Sequence, residues 1–132
     1  MTDTRKQQDG TVLVHWTYSL DEWHNFMSWQ KKKKGFFSYL VYRLFSRKSK
    51  NNPKITITEK KVVVDDTNEA FNDSHHQLRR VAIHDAGNMN VMKISYDASD
   101  RQQRGPVEIN ILVPKGKLRE AIQLQERLTA RL

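Results

Sequence analysis

The sequence contains no cysteine. Disulfides, thiolate zinc sites and cysteine nucleophiles are therefore excluded. No apolar run approaches the ~18–20 residues that a membrane-crossing helix needs. The first ten residues, MTDTRKQQDG, are polar and lack the apolar core of a secretory signal. The expectation is a cytoplasmic protein with a disordered tail over 1–10 and a single domain over 11–132, a length suited to one core. Nucleotide and hydrolase motifs are missing as well: the chain has no P-loop, no G-x-G-x-x-G and no G-x-S-x-G elbow. His15, His24, His75, His76 and His84 do not fall at metal-ligand spacings with carboxylates. No enzyme, cofactor or metal site is expected, and the adjacent pair His75–His76 reads as part of a polar loop.

Acid is absent from one region in particular. Residues 31–54 hold Lys31, Lys32, Lys33, Lys34, Arg43, Arg47, Lys48, Lys50 and Lys54 and no Asp or Glu. That segment carries +9 of a chain whose net charge is +8, which leaves −1 for the remainder. The protein thus reads as a near-neutral domain bearing one cationic segment, and an anionic partner would meet it there.

The remaining pattern is that of ordered elements. Residues 11–19, TVLVHWTYS, are β-branched and aromatic and predict a strand. Ser19-Leu20-Asp21-Glu22 has the spacing of a capping box, and Trp23, Phe26 and Met27 share a face of the helix that follows, with Trp29 at its edge. Beyond Gly35, the residues Phe36, Phe37, Leu40, Val41, Leu44 and Phe45 occupy one half of a helical projection. This predicts an amphipathic helix within 31–50. KITITEKKVVVDD predicts a hairpin turning near Glu59-Lys60. A short strand is expected near Glu69–Phe71, and further strands carry Val81 and Ile83, then Met92, Ile94 and Tyr96, then Val107, Ile109, Ile111 and Val113. Leu118, Ala121, Ile122, Leu124, Leu128 and Leu132 fall on one arc of a last helix. Consecutive strands joined by short turns favour a meander in an α+β fold. Segments 55–65, 79–96 and 107–113 are expected to form one antiparallel sheet, covered by the last helix through Ile122 and Leu128.

WTYSLDEWHNF near the start, ITITEKKVVV in the middle and INILVPKGKLREAIQLQERL at the end together resemble the bacterial pleckstrin-homology-like domains, the YcxB-like group in particular. The resemblance covers roughly residues 12–130 and rests mostly on apolar patterns. It implies a partly open barrel or sandwich of about 5–7 antiparallel strands, with an N-terminal helical segment and a C-terminal capping helix. It implies no defined ligand. Relatives often carry two membrane-spanning segments between the first helix and the hairpin; here that slot holds the shorter cationic segment.

Three uses of that segment are open. On a membrane, Phe36, Phe37, Leu40 and Leu44 would bury while Lys31, Lys32, Lys33, Lys34, Arg43, Arg47 and Lys48 face anionic headgroups. An acidic protein partner would use the same surface. In a nucleic-acid-associated protein, the lysines would meet phosphates and the nearby aromatics would stack on bases. The bland alternative is that the apolar half covers the sheet as ordinary core and the lysines keep the protein soluble. The leading expectation is a non-enzymatic binding module, peripheral at the inner face of a membrane; a small basic nucleic-acid-associated protein is the alternative.

Overall fold

The computed structural model of the protein describes residues 11–32, 51–65, 67–99, 104–130 and 132. The expected tail over 1–10 and the expected amphipathic helix over 36–45 lie outside them. The described chain is α+β, with seven strands in two antiparallel sheets and two helices: β1 Val12–Thr17, α1 Leu20–Lys32, β2 Lys54–Thr58, β3 Lys61–Val64, β4 Thr67–Ala70, β5 His76–Asp85, β6 Asn90–Ser99, β7 Arg104–Val113 and α2 Leu118–Thr129. The strands do not close into a barrel.

The first sheet has the order β1-β2-β3-β4 and the second β5-β6-β7. The single sheet expected from the alternation is therefore corrected to two. Alternation reports which face of a strand is apolar, but not which neighbour it pairs with. The separation occurs after β4, where the chain crosses from one sheet to the other over residues 71–75. Phe71 is fully buried at the start of that crossing, and Asp73 and His76 form an isolated bridge at its end.

Local chemistry explains the elements. In the β2–β3 hairpin, Ile55 faces Val64 and Ile57 faces Val62, and all four are buried. The turn at Glu59-Lys60 is held by Thr58, whose Oγ1 accepts the amides of Lys60 and Lys61, each at 3.1 Å. Asp65 turns the chain toward β4 with φ 53°, in the left-handed region that Asp tolerates better than most residues. Its Oδ1 accepts the Lys54 amide at 3.4 Å. Gly87, at φ 96°, supplies the conformation that the β5–β6 turn requires, and the turn closes with Ala86 N donating to Met89 O at 2.9 Å.

The register of the second sheet separates its two faces. Ile94 opposes Ile109 and Met92 opposes Ile111; on the alternate face Lys93 opposes Asn110 and Val91 opposes Leu112. Met92, Ile94, Ile109 and Ile111 are buried, and so are Val91 and Leu112. Because neighbouring residues of a strand point to opposite faces, this end of the sheet is covered on both sides. The inner face joins Val14, Trp16, Ile55, Ile57, Val62 and Val64 of the first sheet in one core.

α2 lies against β5 and β1. Ala121, Leu124 and Leu128 enter the core, Gln125 Nε2 donates to Val81 O at 3.0 Å, and Trp16 Nε1 donates to Glu120 Oε1 at 3.3 Å. Ile122 was expected in the core and is 42% exposed, with Leu118 and Leu132 also exposed. The arc drawn on a helical projection is wider than the stripe that these two strands cover, so the flanking apolar residues stay in solvent.

Candidate functional site

α1 ends at Lys31 and Lys32, the first two residues of the cationic segment. Its start is the capping box read in the sequence: Ser19 N donates to Glu22 Oε1 at 2.8 Å, and Glu22 N donates to Ser19 Oγ at 3.2 Å. Asp21 and Glu22 in the first turn, and Lys31 and Lys32 in the last, both complement the helix dipole. A chain of rings fixes the buried face, with Tyr18–Trp23 centroids at 5.3 Å, Trp23–Phe26 at 5.8 Å and Phe26–Trp29 at 6.0 Å. Two residues before the end, the buried Gln30 accepts a hydrogen bond from Asn110 Nδ2 at 3.1 Å. Asn110 Oδ1 is itself buried without a partner. The last turn of the helix is thus tied to β7 of the second sheet.

Of the residues expected to meet an anionic surface, Lys31 and Lys32 are exposed at the end of α1. Lys33, Lys34, Phe36, Phe37, Leu40, Arg43, Leu44, Arg47 and Lys48 lie outside the described residues. The two ends of that segment are defined. The chain leaves at Lys32 and is described again from Asn51. Pro53 O accepts the Tyr18 amide at 3.0 Å, beside the opposite end of the helix. Thirteen residues of α-helix separate these points by roughly 18 Å at 1.5 Å per residue.

A cleft of about 320 Å³ opens at the starting end of α1. Its walls come from Glu22 and Asn25 of the helix, the β5–β6 turn at Asn88–Asn90, and the link from β7 to α2. Glu22 ties two walls together, because its Oε2 accepts the Lys115 amide at 3.3 Å. Behind it, the Tyr18 hydroxyl donates to Leu112 O at 2.7 Å. Burial, reinforced by the negative charge of Glu22, holds the Tyr18 phenol well above its ordinary pKa of 10.0, so it remains a donor.

A third polar feature lies where the chain changes sheets. Glu69, 7% exposed, stands opposite Val62 on the inner face of the first sheet. The Tyr96 hydroxyl of the second sheet donates to its Oε2 at 3.0 Å. The His76 ring meets Tyr96 edge-on at 5.6 Å, and its Nδ1 lies 2.7 Å from Asp73 Oδ1. Burial raises the Asp73 pKa; the bond from His76 and the amides of His75 and His76 outweigh it and bring it below 3.8. The expectation of a short strand near Glu69–Phe71 did not place Glu69 in the core. The available signal was its place in step with Val62 and Val64 across a tight turn, which puts a carboxylate on a core-facing position.

Among the described residues, no group of three or more His, Asp or Glu is arranged to hold a metal, and no helix is long and apolar enough to cross a membrane. No family model, curated protein or solved structure matches the chain.

Proposed function

We propose that the protein is a non-enzymatic binding module of pleckstrin-homology-like architecture that associates peripherally with anionic membrane surfaces through residues 31–48. A four-stranded antiparallel sheet with α1 between its first two strands, then a three-stranded antiparallel meander and a C-terminal helix, support the architectural part of this reading. The observation that carries the functional part is the anchoring of α1: a helix tied to β7 in its last turn delivers Lys31 and Lys32 to solvent at the entry of a segment with nine basic residues and no acid. The bland alternative drew its strength from the need of a small sheet for a covering helix. α1 and α2 meet that need, and both sheets share one core built from described residues.

Electrostatic capture supplies roughly 1 kcal/mol per basic residue near an anionic leaflet. Apolar insertion of Phe36, Phe37, Leu40 and Leu44 then adds retention that salt does not screen. Vesicle co-sedimentation tests both parts. Binding requires anionic lipid, and capture weakens as the Debye length falls from ~10 Å at 0.1 M to ~3 Å at 1 M salt. Phe36→Ser with Phe37→Ser reduces retention at unchanged charge. A protein that ignores anionic vesicles at low salt, or binds duplex DNA with a phosphate-dependent salt slope and no need of lipid, refutes the proposal.

A further inference from the structure

We propose that the cleft between α1, the β5–β6 turn and the β7–α2 link binds a free N-acylated apolar amino acid, holding its carboxylate on Lys115 and its amide on asparagine side chains. The site uses no residue of the cationic segment, so it stands or falls independently of membrane association.

The wall chemistry selects this class. Asn25, Asn88 and Asn90 line the cleft from two sides, and their carboxamides are unbonded among the described residues. Each offers a donor and an acceptor in one plane, the complement of a ligand amide. Lys115 is the basic residue among those lining the cleft; it is exposed, and its ammonium has no carboxylate within ion-pair distance among the described residues. Both oxygens of Glu22, the one lining carboxylate, accept backbone amides, which softens its charge toward a bound anion. One cation beside a carboxylate matches a single carboxylate better than a doubly charged phosphate. Met89 is half-buried and Leu118 is 40% exposed at the rim, and they offer an apolar seat for the side chain. Among the described residues no aromatic ring lines the cleft, so they offer no stacking surface of the kind that sugars commonly use. A volume of about 320 Å³ sits at the lower end of the ~300–1,000 Å³ range of ligand pockets, the size of one small acyl amino acid.

The same chemistry ends a peptide chain, and the choice of probes separates the two sources. The protein is titrated with N-acetyl-leucine, N-acetyl-leucinamide and N-acetyl-alanyl-alanyl-leucine at millimolar concentrations, while backbone amide NMR shifts are followed. The expected result is saturable shifts at Asn88, Met89, Asn90 and Lys115 with N-acetyl-leucine. Binding of the neutral leucinamide is about tenfold weaker, the scale of one hydrogen bond to a charged group. Lys115→Gln, at an exposed position, abolishes that preference, whereas Asn88→Ala weakens both ligands together. The assignment is overturned by absent shifts, by shifts centred elsewhere, by equal binding of the amide, or by tighter binding of the tripeptide, which would make the cleft a reader of peptide C-termini.

Discussion

The first sheet is made of strands of four to six residues and the second of strands of ten, and the two are covered differently. β1, β3 and β4 alternate, as where Val62 and Val64 are buried while Lys61 and Val63 are half-exposed, and β2 departs only at Thr58, buried beside Ile57, so one face meets the core and the other is largely in water. β7 breaks alternation at its end, where Ile111, Leu112 and Val113 are all buried, because α1 covers the outer face there while the core fills the inner one. A short sheet needs one apolar face and leaves no helix behind. A long one with both faces apolar at one end creates a demand for a covering helix, and α1 meets it. The helix that ends in Lys31 and Lys32 lies on the face that Asn110 shares with Leu112 and Val91, through the Gln30–Asn110 bond.

Removing the cover is the severest way to break this contrast. Phe26→Ala deletes a ring that is 2% exposed and should cost about 3–5 kcal/mol in denaturant unfolding. A loss no larger than that of a surface substitution would mean that α1 does not cover the second sheet. The next test sharpens the division along α2. Leu128→Ala should cost about 2–5 kcal/mol, whereas Ile122→Ala, at a position 42% exposed, should stay within about 0.5 kcal/mol. Equal effects at the two positions would return the whole arc to the core.

The link between the sheets is probed by Tyr96→Phe. It removes one hydrogen bond to the buried Glu69 carboxylate, a loss of about 1–3 kcal/mol. An unchanged unfolding midpoint would show that Glu69 does not depend on the second sheet.

The smallest effect is electrostatic. Asp73 has a folded pKa below its ordinary 3.8, so its contribution is present above that value and is lost as pH falls through the lowered one. Its side chain is 37% exposed, and an exposed pair of this kind is worth under about 1 kcal/mol. Wild type should exceed Asp73→Asn in stability by that margin at neutral pH, with the gap closing in acid. A gap that widens in acid would reverse the assigned sign.

Sequence by itself determined the local elements. Ser19 and Glu22 specify the start of α1 by bonds three residues apart, the Ile55/Ile57 and Val62/Val64 alternation specifies a hairpin around a short turn, and the apolar arc of 118, 121, 122, 124, 128 and 132 specifies which side of α2 packs, though not how much of that arc is buried. All of these interactions are short in sequence, so the residues that make them are visible together. Tertiary structure alone decided that the strands part into two sheets after Phe71, that Glu69 faces Tyr96 across the core, that Ile122 stays in solvent, and that Asn25, Asn88 and Lys115 share one cleft. Each of these outcomes depends on partners tens of residues apart, and apolar burial is non-directional: it requires that a face be covered without naming the element that covers it.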